Sequence, residues 1–387
     1  MSPGEAYILL GLRLGRHVDG LVDAYYGPTE LNEQVAAEPV AEPAVLIEQA
    51  DALLAALDGG WLRDQAVGLR TYAGVLAGEQ LSYSDEVEGC YGVRPQRVST
   101  DAYAAAHERL DELLPGSGPI DDRYESWRRR SAVAPELIVP VMKGLVAELR
   151  ARTAELVELP TGEELVLEEV RDEPWWAFNY YLGGLKSRVV FNLDVPTTCD
   201  DLVEVAAHEV YPGHHTEHAI KERRFVLDRG ELEEAIKLVP TPECLVSEGL
   251  AEAGPDVVFH GDMPERLAGI LAGHGLDYDF ETARAIRAAR RPLRRVGLDT
   301  ALLIHEDGAP VEEAEEYLRR WSLVTPEQAA HSVSFVTDPT WRAYVINYSV
   351  GRELCHAWVG GDPARFVRLL TEHIRVSDLL PAVSSTP

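Results

Sequence analysis

Most of the chain carries the apolar periodicity of amphipathic helices, and this pattern constrains its fold more than any other feature of the sequence. From Leu137 to Leu149, apolar side chains recur every four residues, with charged residues such as Glu148 beside them. The segments 43–57 and 102–114 are rich in Ala, Leu and Glu in the same way, and Pro and Gly clusters separate these runs. The 387-residue sequence therefore predicts a mainly α fold, a large helical body with a cleft.

One segment breaks the helical pattern and predicts a β-hairpin over residues 175–193. Its two arms are rich in Trp, Phe, Tyr and Val, and Gly183-Gly184 between them suits a tight turn. Thr198 then fits the N-cap position of a helix over 198–225, with Asp201 as its capping partner. A small sheet is therefore expected next to this helix.

The composition excludes several classes of partner. The chain carries 36 Lys and Arg against 65 Asp and Glu, a formal net charge of −29, so nucleic acids and anionic membranes are poor partners. Residues 1–20 show no secretory pattern, and no run reaches the roughly 18 apolar residues of a membrane helix. The four cysteines form no CxxC pair. These features predict a cytoplasmic, reduced protein.

A histidine cluster carries the strongest chemical signal. Four of the twelve histidines lie close together in the sequence, at His208, His214, His215 and His218. A His-Glu pair at the end of an apolar helix is half of a zinc-peptidase signature, whose second histidine follows four residues later. Here that position is Pro212, so we expect the helix to bulge or break at 211–213.

The break decides which histidine becomes the second ligand. In an ideal helix His208 and His215 share a face but lie about 10 Å apart, too far for one zinc ion. His214 is therefore the predicted second ligand, with His215 as the alternative. If His214 is the ligand, we expect His215 to turn away from the metal, toward Glu217 or Glu252. The competing interpretation is a solvent-facing helix of acids and histidines that binds no metal.

A third ligand is predicted on the next helix. Thr241 and Pro242 are typical of a helix start, and the pattern predicts a helix over 241–253 that stops at Gly254-Pro255. Glu248 and Glu252 lie four residues apart, so they share one face of this helix. We expect Glu248 to bind the metal, and Glu252 to hold a ligating histidine through its other ring nitrogen.

Two motifs resemble those of a known family. The segments 208–215 (HEVYPGHH) and 247–251 (SEGLA) are similar to the HE-x-x-PGHH and SEG-x-A motifs of the bacterial family called domain of unknown function 885. Its members are regarded as zinc peptidases, similar in plan to thermolysin-like and Taq-carboxypeptidase-like enzymes, whose third ligand is a glutamate on a following helix. The dipeptidyl peptidase III family is a precedent for a stretched spacing. The resemblance covers roughly residues 175–355, and Leu250 replaces the family's usual aromatic residue.

The resemblance extends to a late Tyr-x-x-Gly motif, which residues 348–351 match. It implies that Tyr348 donates a hydrogen bond to the developing oxyanion, with Tyr344 one turn earlier as a substrate-binding residue. The arginine-rich stretch 284–295 is interpreted as an ion-paired face, or alternatively as a clamp for a substrate carboxylate. His305 and Glu306, a second His-Glu pair, are expected at a helix terminus.

Together these features predict a zinc-dependent metallohydrolase, most simply a peptidase acting on short peptides. Zinc would acidify a bound water toward a pKa of ~7, and Glu209 would act as general base. The strand 186–192 is expected at a sheet edge, where an extended substrate could pair with it. A zinc hydrolase of another amide or ester, and a non-catalytic binding protein, remain alternatives. We expect an N-terminal helical lobe at 1–160 and a catalytic lobe at 161–387.

Overall fold

A computed structural model describes residues 1–173 and 175–380, and within these ranges the chain is mainly helical, which confirms the predicted fold class. The end of the predicted catalytic lobe, 381–387, lies outside the described residues. The α-helices are α1 (Pro3–Gly15), α2 (Thr29–Ala37), α3 (Pro43–Ala55), α4 (Trp61–Leu76), α5 (Tyr83–Tyr91), α6 (Thr100–Leu113), α7 (Ile120–Arg130), α8 (Ile138–Leu156), α9 (Cys199–Val205), α10 (His214–Lys221), α11 (Pro242–Val258), α12 (Met263–Gly273), α13 (Phe280–Arg290), α14 (Val296–His305), α15 (Val311–Ser322), α16 (Pro326–Thr337), α17 (Arg352–Val359), α18 (Pro363–Thr371) and α19 (Val376–Leu379). The strands are β1 (Val22–Tyr25), β2 (Ala132–Val133), β3 (Glu164–Val170), β4 (Ala177–Gly183), β5 (Lys186–Asn192), β6 (Thr197–Thr198) and β7 (Ile236–Leu238).

The predicted hairpin is confirmed, but its second arm is not an edge strand. β4 and β5 pair antiparallel, and β3 pairs parallel with the other side of β5, so the strand order is β3-β5-β4. The expectation that an extended substrate could pair with residues 186–192 is therefore wrong, because β3 already occupies that edge. β3 was not predicted, because glutamates interrupt its short apolar alternation. Within the described residues, β4 forms the outer edge of this sheet on the hairpin side.

The helices that follow the sheet begin where the sequence predicts. Thr198 and Asp201 form a reciprocal capping box at the start of α9. α11 has Thr241 at its N-cap position and Pro242 in its first turn. It does not stop at Gly254-Pro255, as predicted, but continues to Val258. The proline removes only one helix hydrogen bond, and Pro255 is itself buried.

The two largest hydrophobic cores hold together the elements around the histidine cluster. The larger core joins α1, α3, α4 and α5 to α11, α14, α17 and α18, so it takes side chains from both sides of residue 160. The second core packs α8, β5 and α12 around α9, the helix that leads to the histidine cluster. The division at residue 160 stays a prediction. None of the described helices has both the length and the apolar character needed to cross a bilayer.

Candidate metal centre

The helix that carries the histidines breaks where the sequence predicts. A π-helical turn spans Ala206–Val210, Tyr211 takes extended dihedrals (φ −125°, ψ 117°), and α10 begins at His214. Gly213 closes the break, because its N–H donates to the carbonyl of Ala207 at 2.9 Å. A Cβ atom at this position would lie 1.8 Å from the carbonyl oxygen of His208. Glycine is therefore required here by close backbone approach.

The break brings together the three residues predicted as metal ligands. His208 Nε2 lies 3.6 Å from Oε2 of Glu248, and His214 Nε2 lies 3.6 Å from Oε1 of the same carboxylate. The two rings are 4.8 Å apart between centroids. One ligand atom from each of the three residues lies within 4.8 Å of the others. The arrangement has the size of a single metal site, built from a helix end, a helix start and the middle of α11.

His215, the alternative ligand, points away from this group. Its ring is fully buried, with Nδ1 2.8 Å from the hydroxyl of Ser187 and Nε2 2.8 Å from the carboxylate of Glu163. The structure thus brings His214, and not His215, to Glu248. The expectation that His215 would turn toward Glu217 or Glu252 is wrong, because β5 and the loop before β3 supply its partners instead. No local sequence pattern links Glu163 to the histidines.

The second ring nitrogen of each candidate ligand faces a polar group. His214 Nδ1 lies 3.3 Å from the hydroxyl of Ser247, which donates to Glu217. His208 Nδ1 lies 3.8 Å from Glu252, as the sequence predicts for this carboxylate. Such contacts orient ligating histidines and fix their tautomers. Glu217 therefore acts on the His214 side of the site, not on His215.

Glu209 lies beside the group without belonging to it. Its Oε1 is 3.9 Å from His208 Nε2. Burial raises the pKa of Glu209, although the two neighbouring histidines act in the opposite direction. Asn179 on β4 donates from its side chain to the Glu209 carbonyl at 2.7 Å, which ties the sheet edge to the helix end. The sequence showed Asn179 only as a polar residue in a strand and did not identify this contact.

The two predicted tyrosines reach the site because two glycines touch. A Cβ atom on Gly249 would lie 2.3 Å from the carbonyl oxygen of Gly351, so the π-helical turn Asn347–Gly351 packs directly against α11. Tyr344 donates to Glu248 Oε1 at 2.8 Å, and it thereby holds this carboxylate. Tyr348 is 41% exposed and lines the adjacent cavity. The hydroxyl of Tyr344 is engaged with Glu248, while the hydrogen bonds of the described residues assign no such partner to Tyr348.

The charge balance of the group fits a bound cation. Glu248 Oε2 is buried and has no hydrogen-bond partner among the described residues. Burial acts to raise the pKa of Glu248, but the neighbouring His214, His208 and Tyr344 together outweigh it and lower that pKa to about 2. Burial likewise acts to lower the pKa of His214, and Glu248 raises it to about 10. Two imidazole nitrogens and one carboxylate are also a donor set that catalytic zinc sites use.

A cavity of about 590 Å³ opens onto the candidate ligands. Aromatic side chains form much of its wall: Trp175, Phe178, Tyr180, Phe335, Trp341, Tyr344 and Tyr348. Asp23, on β1, lines the cavity as well. The sequence did not identify Asp23 or β1, because this four-residue strand pairs with the distant β7. The cleft expected from the sequence is thus a cavity shared by the N-terminal segment, β4, α11 and the turn at 344–351.

The arginine-rich stretch forms an ion-paired face, as predicted. Its side chains meet acids from three other elements, in the pairs Arg287–Asp200, Arg291–Asp256, Arg294–Glu252 and Arg295–Glu353. Arg294 thus holds the carboxylate that lies beside His208. The second His-Glu pair ends α14 at His305, which confirms its assignment to a helix terminus.

Comparison with known proteins bears on the fold alone. No protein-family profile matches the chain, and no curated protein matches it. A solved structure described as "the putative lipoprotein from Colwellia psychrerythraea" is similar, with a TM-score of 0.53 and 17% sequence identity. The match covers 90% of this chain and 57% of that one. At this identity the likeness shows a shared fold, and this chain spans a little over half the length of that protein.

Proposed function

We propose that the chain is a zinc-dependent metallohydrolase that cleaves short peptides, with His208, His214 and Glu248 as the zinc ligands. The observation that supports this best is the Glu248 carboxylate, which has one buried oxygen without a hydrogen-bond partner among the described residues and lies 3.6 Å from both histidines. The motif resemblance to the domain of unknown function 885 family points to the same metallopeptidase-like plan.

Each neighbouring side chain has a role in this proposal. Zinc bound there would supply a Lewis acid that polarises the scissile carbonyl and acidifies a water. Glu209 takes a proton from the attacking water on its carboxylate and passes it to the leaving amine. Tyr348, whose side chain is partly exposed and lines the cavity, donates a hydrogen bond from its hydroxyl to the developing oxyanion. Tyr344 and Glu252 hold Glu248 and His208 in place.

The cavity also suits a peptide. Its volume of about 590 Å³ is within the range of small-ligand sites, roughly 300–1,000 Å³. β4 contributes the wall at Ala177–Tyr180 and forms the outer edge of its sheet, so an extended substrate could pair with β4 rather than with β5. A hydrolase of another amide or ester would use the same groups. A test of which substrates are cleaved therefore distinguishes a peptidase from such an enzyme.

The test begins with the metal. Native mass spectrometry of protein purified without a histidine tag should show one zinc per chain, or uptake of one zinc on titration. A chain that takes up no zinc would exclude the proposal. A peptide library should then reveal cleavage, and a library of small esters and amides provides the comparison.

Glu209→Gln separates metal binding from chemistry. The amide keeps the shape of the side chain but cannot accept a proton, so we expect full zinc content and a loss of turnover of at least about 100-fold, at the lower end of general-base contributions. Glu265→Gln, an exposed carboxylate on α12, is the matched control and should leave turnover unchanged. Near-normal turnover by Glu209→Gln would show that another group is the base.

A further inference from the structure

Asp23 owes its position to an irregularity in a short strand. β1 pairs antiparallel with β7, with Val22 opposite Leu238 and Ala24 opposite Lys237. The register shifts between Val22 and Ala24, so Asp23 is the additional residue of a β-bulge. Bulges redirect a side chain that regular pairing would place elsewhere. Here the redirected side chain lines the cavity that also contains His208, Glu209 and Glu248.

Asp23 is exposed to this cavity and has no hydrogen-bond or ion-pair partner within residues 1–173 and 175–380. The lysine that lines the cavity wall, Lys237, does not pair with it. Lys237 is buried and already binds the carboxylates of Glu234 and Glu243, the latter at 2.6 Å. A carboxylate that lines a binding cavity without a protein partner is free to bind a group of the ligand. Its charge indicates that the partner is a cation.

The surroundings favour an organic ammonium group as that cation. Aromatic rings of Trp341, Phe335 and Tyr344 line the same cavity, and ammonium groups bind both carboxylates and aromatic faces. Trp341 also packs against the loop before β1. A Cβ atom added to Gly20 in this loop would lie only 3.2 Å from the Trp341 ring. Burial against the cavity wall, together with the charges of Glu248 and Glu209, raises the pKa of Asp23 to about 6, which is still below neutral pH.

We propose that Asp23 binds the protonated amino terminus of the substrate, so that the cavity selects peptides with a free α-amino group. The identity of the substrate as a peptide rests on the proposed function, whereas the recognition of an ammonium group rests on the bulge and the unpartnered carboxylate. Asp23 is in this view a specificity-determining residue that contacts the substrate without taking part in bond cleavage.

Calorimetric titration of zinc-loaded Glu209→Gln protein tests the proposal without turnover. The probes are the dipeptide Ala-Phe, its N-acetylated form, and N-acetyl-Lys-Phe, whose cation lies on a side chain. Introducing Asp23→Asn into this variant should weaken Ala-Phe binding at least about 10-fold. This is the loss in affinity expected when one hydrogen bond to a charged group is removed. Binding of N-acetyl-Ala-Phe should change less than about twofold. Asp19→Asn removes the same charge from an exposed position outside the cavity lining and should change neither.

The same set of probes can overturn the proposal. Equal weakening of the free and acetylated peptides by Asp23→Asn, or no weakening of either, would exclude amine recognition. Weakening confined to N-acetyl-Lys-Phe would assign Asp23 to a basic side chain and contradict the amino-terminal assignment.

A metal-independent probe separates this inference from the proposed function. Phenethylamine, an aromatic ammonium ion, and neutral 2-phenylethanol can be titrated by NMR into the chelator-treated protein. Selective loss of phenethylamine binding in Asp23→Asn supports the ammonium subsite even if no peptide is cleaved. Unchanged phenethylamine binding overturns it, even if the wild-type protein is a zinc peptidase.

Discussion

The two faces of α10 carry adjacent histidines in opposite environments. His214 faces α11 and the cavity, while His215 faces the sheet and the loop before β3. Both histidines lie next to glutamates, and both are largely or wholly buried. His214 and His215 are therefore alike in residue type and nearly alike in burial. They differ in how completely the polar groups around them are hydrogen-bonded.

On the sheet face the polar groups around His215 are paired. Glu163 accepts hydrogen bonds from His215, Tyr211 and Arg150, and the other ring nitrogen of His215 meets Ser187. Burial acts to raise the pKa of Glu163, but these three hydrogen bonds outweigh it and lower the pKa to about 2. A buried network this complete stabilises the fold and leaves no place for a ligand.

On the cavity face the network is incomplete. The contacts of His208 and His214 with Glu209 and Glu248 are 3.6–3.9 Å long, beyond good hydrogen-bond distance, and one oxygen of Glu248 has no partner within the described part of the chain. A buried carboxylate oxygen without a partner costs free energy, and a bound cation would remove that cost. Incomplete hydrogen bonding thus distinguishes the cavity face of α10 from the surroundings of His215 on its sheet face.

The largest expected effect separates the two histidines by zinc affinity. Removing a contact behind a ligand costs about 10–100-fold in metal affinity, so removal of a ligand should cost more. We expect His214→Ala to weaken zinc binding by at least about 1,000-fold in a chelator-competition assay. His215→Asn should change the affinity by less than about threefold. The reverse ranking would reassign the second ligand to His215.

The next effect concerns the stability of the sheet face. Glu163→Gln leaves His215 and Arg150 without their buried anionic partner, and we expect the free energy of unfolding in urea to fall by about 3 kcal/mol at pH 7. Glu164→Gln, which breaks an exposed pair with Lys186, is the matched control and should cost less than about 1 kcal/mol. Zinc affinity should be unchanged in both. Equal losses would show that the Glu163 network adds nothing beyond a surface pair.

The pH dependence of that loss follows from the direction of the pKa shift. The folded-state pKa of Glu163 is lowered from 4.5 to about 2, so its contribution is fully present above pH 4.5 and disappears as the pH falls toward 2. The difference in unfolding free energy between wild type and Glu163→Gln should therefore shrink between pH 4.5 and 2. A difference that stayed constant over this range would show that the charge of Glu163 is not what stabilises the fold.

Local sequence patterns predicted what depends on local geometry. Helical periodicity indicated the fold class, and the proline at position 212 correctly predicted the break before His214. The spacing of Glu248 and Glu252 placed both on the face of α11 that meets the histidines. In each case the residues that determine the feature lie within a few turns of one helix, so helix geometry fixes their relative positions.

The residues that the sequence missed act over long separations in the chain. Glu163 meets His215 across 52 residues, and Asp23 reaches the cavity because β1 pairs with β7, more than 200 residues later. Contacts between residues so far apart follow no periodic spacing, so they cannot be recognised in a single sequence. β3 was missed for the related reason that a short, glutamate-rich strand gains its stability from pairing with β5 and not from its own pattern.

The smallest expected effect compares the two serines behind the histidines. Ser247 contacts Nδ1 of His214 and donates to Glu217, while Ser187 contacts Nδ1 of His215. If Ser247 orients a metal ligand, Ser247→Ala should weaken zinc binding about 10-fold, because His214 loses the contact that fixes its ring. Ser187→Ala removes an equivalent hydroxyl from the sheet face, so it should lower the unfolding free energy by about 1 kcal/mol and leave zinc affinity unchanged. Measured together by chelator competition and urea unfolding, the pair tests whether a serine beside a buried histidine matters to the metal or only to the fold. Equal effects on zinc affinity would mean that the two faces of α10 are not functionally distinct.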